Sequence, residues 1–257
     1  MGLDGFEETS FAHDGETRTV YRRGKGPGVV VIHEIPGIYP AVVSFATRVA
    51  DAGFTVAMPH LFGVVGRPLS GGYLAGSMLG ACISREFRVL AARESSPITD
   101  WLRALCRDLH ASIGGKGVGA IGMCLTGNFA LALMVDEAVM APVLSQPSLP
   151  FPIGATRRAA LHLSDEDLAV IKRRDVPVLG MRFTRDPACP AERFARLREE
   201  LGDRFEAIEI DSSPGNPHGI PTSAHSVVTK DLVDAEGHPT RAALERVLAF
   251  FHERLDG

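Results

Sequence analysis

The stretch Gly122-Met123-Cys124-Leu125-Thr126-Gly127 holds the residue best suited to covalent chemistry. It follows the apolar run Gly117-Val118-Gly119-Ala120-Ile121 and precedes the helix-compatible Asn128-Phe129-Ala130-Leu131-Ala132-Leu133-Met134. A reactive residue between a buried strand and a helix reads as a nucleophile elbow, where it takes a strained backbone conformation and small neighbours let strand and helix pass closely. Gly122 meets that need; Thr126, standing where such turns usually carry glycine, meets it less well, although Gly127 follows directly. The positive end of the helix and an imidazole neighbour both favour thiolate over thiol, which makes Cys124 a nucleophile at neutral pH. The competing reading is a small buried cysteine filling a tight turn.

Such a nucleophile needs an acid and a histidine after it in the chain, each beyond the carboxyl end of a strand. Pro177-Val178-Leu179-Gly180-Met181-Arg182-Phe183 reads as a strand, and its exit Thr184-Arg185-Asp186-Pro187 offers Asp186, either as the orienting acid or as an ordinary Asp-Pro turn residue. The loop after Phe205-Glu206-Ala207-Ile208-Glu209-Ile210 holds both His218 and His225. His225 is preferred as the base and His218 stands as the alternative; His238, beside Pro239, ends a loop at the final helix. The oxyanion hole is expected to use the backbone N–H of Leu125 and that of Ile35 in His33-Glu34-Ile35-Pro36-Gly37, since Pro36 has no N–H to give. Glu34 ends an apolar strand, so its carboxylate either meets solvent in a cleft or needs a partner.

The elements that must position these groups follow from hydrophobic patterning. Residues 6–23 alternate around Asp14-Gly15, a hairpin signal, and form the expected sheet edge. Buried strands are expected at 28–32, 54–58, 117–122, 138–144, 177–183 and 205–210, with Pro59 marking the end of the second. Helices are expected at 41–52, 83–92, 97–112, 128–134, 164–173, 190–202 and 239–254. Residues 61–80 read as a loop beside the site, and 145–160, with three prolines, as a small cap. Strands alternating with helices define an α/β fold: a doubly wound, mostly parallel central sheet with helices on both faces and an N-terminal antiparallel hairpin. No repeat or low-complexity tract divides residues 1–257, so a single domain is expected.

Composition narrows the function classes. Hydrophobic residues make up 45% and charged residues 23%, which is ordinary globular usage. The net charge of −4 provides no basic field for a nucleic acid or an anionic membrane. The acidic start lacks the pattern of a secretory signal, and no run approaches membrane-spanning length. Cys82, Cys106, Cys124 and Cys189 are scattered with no Cys-x-x-Cys pair, which argues against a structural metal or disulfide framework and fits reduced thiols in a cytoplasmic protein.

Three separated segments resemble the dienelactone hydrolase family: Val31-Ile32-His33-Glu34-Ile35-Pro36-Gly37, Gly122-Met123-Cys124-Leu125-Thr126-Gly127, and Asp186 with Pro187 and Pro190. Ala224-His225-Ser226 lies at a family-like distance from Ala243-Leu244-Glu245-Arg246, and the resemblance spans about residues 28–252 as motif order. It implies the α/β-hydrolase fold and a Cys124, His225, Asp186 triad, with Glu34 holding the resting thiol, and it favours His225 over His218. The chain departs from the family at Thr126, in a longer loop at 212–224, and at Thr229, where dienelactone enzymes carry a carboxylate-binding arginine; Arg85 and Arg88 are the other cations considered for that charge.

The expected activity is therefore hydrolysis of a small-molecule ester or lactone through an acyl-enzyme, with no metal or organic cofactor. A monomer and a homodimer fit equally. The alternatives are a promiscuous hydrolase that also attacks phosphoesters and a noncatalytic binding protein that kept the fold.

Overall fold

The computed structural model describes residues 3–73, 76 and 97–257. Strands β1 (Glu7–His13) and β2 (Glu16–Arg23) form the opening hairpin, with Asp14 and Gly15 at φ of 49° and 80° as a tight two-residue connection requires. Strand β3 (Gly28–Ile32) is buried at every position and leads to α1 (Pro40–Asp51), which begins on a proline that suits the first helical turn. The chain continues through β4 (Thr55–Pro59), α2 (Pro97–Ile113) and β5 (Val118–Met123). A 3-10 turn over Cys124–Thr126 then opens α3 (Gly127–Leu133). After β6 (Val139–Ser145) come α4 (Ala155–Ala159), α5 (Asp165–Arg173), β7 (Val178–Phe183), α6 (Ala191–Leu201), β8 (Phe205–Ile210) and α7 (Pro239–Leu255).

The described strands form one sheet in the order β1-β2-β4-β3-β5-β6-β7-β8; the pairs β1/β2 and β2/β4 are antiparallel and every other pair is parallel. Alternation along β3 shows why the sheet is covered twice. Val29 and Val31 pack with α1 and α7 through Val42, Phe45, Val247 and Phe251. Val30 and Ile32 pack on the other face against Leu102, Leu105, Phe129 and Ala130 of α2 and α3. Successive strands run outward from β3 in opposite directions, to β4 on one side and β5 on the other. The carboxyl ends of β3 and β5 therefore flank a topological switch point, where open α/β sheets leave a crevice.

Pro59 does mark the end of β4: it is the last residue of the strand, across from Val20, where an antiparallel partner tolerates a missing N–H. Two other local expectations need correction or limits. Residues 71–73 are helical within the stretch read as loop, and α4 gives the 145–160 segment a short helix. The helix expected at 83–92, with Cys82, Arg85 and Arg88, lies outside the described residues. Among the described residues no helix is long and apolar enough to cross a membrane.

Arg193, at the start of α6, is fully buried, and among the described residues it has no carboxylate in ion-pair contact. Its guanidinium donates to the carbonyls of Pro147 (2.6 Å), Pro150 (2.7 Å), Ala160 (3.0 Å) and Arg157 (3.1 Å). A planar five-donor fork is the one side chain that can satisfy so many backbone acceptors at once, and it ties the 147–160 segment down onto α6. Replacing it by leucine strips several buried carbonyls of their partners. Arg193→Leu is expected to destabilise the fold by at least about 3 kcal/mol, read as a lowered urea midpoint, with Arg193→Lys recovering only part of the loss.

Candidate active site

Cys124 sits at φ of +56°, in the left-handed region that a non-glycine residue rarely occupies. The packing around it explains how the conformation is held. A Cβ on Gly122 would lie 2.0 Å from the Thr126 carbonyl oxygen, and one on Gly127 would lie 2.5 Å from Pro147 Cα. Gly127, one place later than the usual pattern, is thus the residue that lets α3 pass the neighbouring chain. Thr126 is not a misfit: its buried hydroxyl accepts from Met123 N–H (3.0 Å) and lies 2.9–3.2 Å from the carbonyls of Met123, Ile32 and His33. One side chain therefore fastens the elbow to the end of β3. On its far side the Cys124 carbonyl accepts from Ser148 N–H at 2.9 Å.

Asp186 and His225 meet beside this sulfur. The Asp186 side chain is buried in the loop after β7; Oδ1 accepts from Ala188 N–H at 2.9 Å, and Oδ2 lies 2.7 Å from His225 Nδ1. A carboxylate facing Nδ1 makes that nitrogen the donor and leaves Nε2 toward Cys124. His225 is itself set by Asp231, whose carboxylate accepts from the backbone N–H groups of His225 (2.8 Å) and Ser226 (2.9 Å). Burial works against a charged imidazole here, but the facing Cys124 sulfur and then the Asp186 hydrogen bond outweigh it, so the His225 pKa is raised well above its ordinary value. His218 is exposed, with its ring 5.3 Å from that of His238. Of the two candidate histidines, the structure brings His225 alone to Cys124 and Asp186. His238 caps α7, its Nδ1 accepting from Thr240 N–H.

Glu34 is buried, not a rim residue in contact with water. Its carboxylate accepts from Tyr39 OH (2.5 Å), Ser226 OH (2.9 Å), Gln146 Nε2 (3.1 Å) and Thr229 OH. Burial and the adjacent Glu34 push the Tyr39 phenol far up, so it remains a donor. Thr229, at the position where the family resemblance led us to look for an arginine, is one of these neutral donors. Sequence reasoning missed Tyr39, Gln146, Ser226 and Asp231; only the unpartnered acid at the end of β3 signalled that such donors must exist. His33 plays a structural part. Its Nε2 accepts from Leu61 N–H (3.0 Å) and its Nδ1 faces the Glu34 carbonyl (3.1 Å), and burial lowers its pKa to about 3.

A cavity of about 570 Å³ opens over the sulfur, within the range of small-molecule sites. Glu34, Cys124, Asp186 and His225 line it together with Ile35 and Leu125, and half-exposed Leu69 and Phe151 stand at its apolar rim. Both residues expected to supply oxyanion amides thus border the same space as the thiol.

This architecture, with a strained cysteine between a parallel strand and a helix and a histidine–aspartate pair beside it, is that of an α/β-hydrolase-fold protein. The sequence model of the dienelactone hydrolase family matches residues 16–255, and the chain belongs to that family. A curated relative from Saccharomyces cerevisiae, named "Putative carboxymethylenebutenolidase", is 30% identical over 122 residues, which cover 46% of this chain and 42% of the yeast protein. Among solved structures, a dienelactone hydrolase-like promiscuous phosphotriesterase from metagenomic libraries superposes with a TM-score of 0.64 at 19% identity, covering 97% of this chain and 98% of that one. A structure named "Putative Dienelactone Hydrolase", from Klebsiella pneumoniae, gives 0.63 at 18% identity, covering 96% and 98%. At such identities these two speak for the fold.

Two outcomes test this geometry. Thr126→Val keeps the shape but removes the hydroxyl, and is expected to cost about 1–3 kcal/mol of stability in denaturant titration. By NMR, the His225 ring is expected to titrate above the ordinary value of about 6.5, and Cys124→Ala to lower that midpoint by removing the facing sulfur. Because the folded value is raised, the stability this pair contributes is complete below the unfolded imidazole value and is lost as pH rises through the folded one.

Proposed function

We propose that this protein hydrolyses small carboxylic esters or lactones through an acyl-enzyme on Cys124. The observation that carries the reading is the strained Cys124 at the floor of the cavity, facing a His225 whose other ring nitrogen lies 2.7 Å from Asp186. The raised His225 pKa keeps a protonated imidazole beside the Cys124 sulfur, the neighbour that a thiolate nucleophile needs. The thiolate attacks the substrate carbonyl carbon, and the amides of Leu125 and Ile35 receive the oxyanion. As the tetrahedral intermediate collapses, the C–O bond to the leaving group breaks and His225 gives its proton to the departing alkoxide. Water then attacks the thioester while His225 takes its proton. The C–S bond breaks, the carboxylic acid leaves, and the thiolate–imidazolium pair is restored. Asp186 keeps Nδ1–H engaged throughout, so that Nε2 alone exchanges the proton.

The apolar rim favours substrates with an uncharged hydrocarbon portion near the reacting carbonyl. A panel of activated esters, lactones and one phosphotriester tests the proposal; the last is included because a structural neighbour bears that activity in its name. Cys124→Ala is expected to lower kcat/KM by roughly 10⁴-fold on every substrate turned over, and acid quench of the wild type to trap an acyl mass on Cys124. Retained activity in Cys124→Ala defeats the mechanism. Turnover of none of the panel favours the noncatalytic alternative.

A further inference from the structure

We propose that Cys124, His225 and Glu34 also form a reversible inhibitory site for a thiophilic divalent cation, with zinc(II) the ion whose ligand preferences the three side chains match. One sulfur, one ring nitrogen and one carboxylate oxygen, from three separate segments, all lie within 4.8 Å of one another. Among the described residues this is the one group of three or more such side chains close enough to share an ion. Bonds of roughly 2.0–2.3 Å to zinc put neighbouring tetrahedral ligands about 3.5 Å apart. The three atoms, at most 4.8 Å apart, therefore need to close by no more than about 1.3 Å, which side-chain torsions supply.

Their surroundings favour a metal in two further ways. Zinc-bound histidines hold their second nitrogen against a carboxylate, which fixes the tautomer and aims the ring. Asp186 does this for His225, at 2.7 Å from Nδ1. A ligating carboxylate is likewise oriented by outer hydrogen bonds, and Glu34 is held by Tyr39, Gln146, Ser226 and Thr229. One of the four must yield its lone pair to the ion; the Ser226 hydroxyl can do so by rotating. The fourth coordination position faces the cavity, where a water completes the tetrahedron.

Binding forms metal–sulfur, metal–nitrogen and metal–oxygen bonds, displaces waters from the hydrated ion, and sends any proton on the sulfur or on Nε2 to solvent. Nothing is oxidised or reduced. The ion occupies the electron pairs that acyl transfer requires, so the loaded protein is inactive and chelation restores it. Cys106 and Cys189 are fully buried, and burial pushes both thiols far above the ordinary thiol range and so out of competition.

Cadmium is the probe, because its bond to a thiolate adds a charge-transfer band in the ultraviolet. Titration of the reduced protein is expected to give a one-equivalent band in the wild type and in Cys82→Ser, none in Cys124→Ala, and displacement by zinc. Zinc is also expected to protect Cys124 from iodoacetamide, with EDTA reversing the protection. Glu34→Gln and His225→Gln, each checked for folding by circular dichroism, are expected to weaken cadmium at least about tenfold, and either folded variant suffices. The proposal is overturned if the wild type binds no cadmium below millimolar concentration, if the band survives in Cys124→Ala, or if a folded variant lacking Glu34 or His225 binds as tightly as the wild type. None of these readings depends on ester turnover.

Discussion

The left-handed backbone at Cys124 is the constraint from which the rest of the site takes its geometry. A cysteine at φ of +56° is unfavourable on its own, by about 1–3 kcal/mol, and stays there only because its surroundings leave no alternative. Gly122 admits the Thr126 carbonyl where a methyl would collide, Gly127 admits Pro147, and the Thr126 hydroxyl bridges to the end of β3. Arg193 then grips the Pro147 carbonyl from below, so the wall against which Gly127 packs is itself fixed. The sulfur is thus aimed into the cavity by contacts that belong to β3, β5, α3 and α6 together, and not by the elbow alone.

Two buried carboxylates are supplied with partners in different ways, and the difference separates their roles. Asp186 faces an ionisable imidazole, so it fixes the ring orientation and adds, after the Cys124 sulfur, to the raised His225 pKa. Glu34 faces four neutral donors. Hydrogen bonds from neutral groups to a carboxylate are stronger than neutral pairs, so such a collar offsets burial without a counter-ion. Ser226 links the two systems: its hydroxyl bonds Glu34 while its backbone N–H shares the Asp231 carboxylate with His225. The position of the histidine and the orientation of Glu34 are therefore mechanically joined through one residue.

What the chain discloses in advance is whatever depends on local pattern. The apolar runs of β3, β5 and β7 are continuous because both sheet faces are covered, and so their places, and the order nucleophile, acid, histidine at their ends, are legible. The choice between His218 and His225 was not legible from spacing, since both lie in one long loop; it is decided by Asp231, which folds back six residues to hold the His225 backbone. Arg193 looks like any charged helix residue until the five-donor fork meets carbonyls up to 46 residues away in the chain. Thr126 looked like a flaw because the usual glycine reflects crowding, whereas here the crowding has moved to Gly127 and the vacated place is used for a hydrogen bond.

Thr229 carries the last step. Where relatives are expected to place a cation, a hydroxyl donates to Glu34, and Tyr39, Ser226 and Gln146 complete the set. Removing one partner of a buried charge is ordinarily costly, because the survivor keeps its desolvation penalty. Here no charge is left alone, since the carboxylate meets a full complement of donors from four separate positions. The exchange also alters what the pocket presents: a cation near the sulfur would attract a substrate carboxylate, whereas a spent hydroxyl offers none. The cavity wall is apolar at Leu69 and Phe151, and Lys230 is the one lysine or arginine among its described lining residues, so a cation offered to a bound group comes from Lys230 and not from position 229.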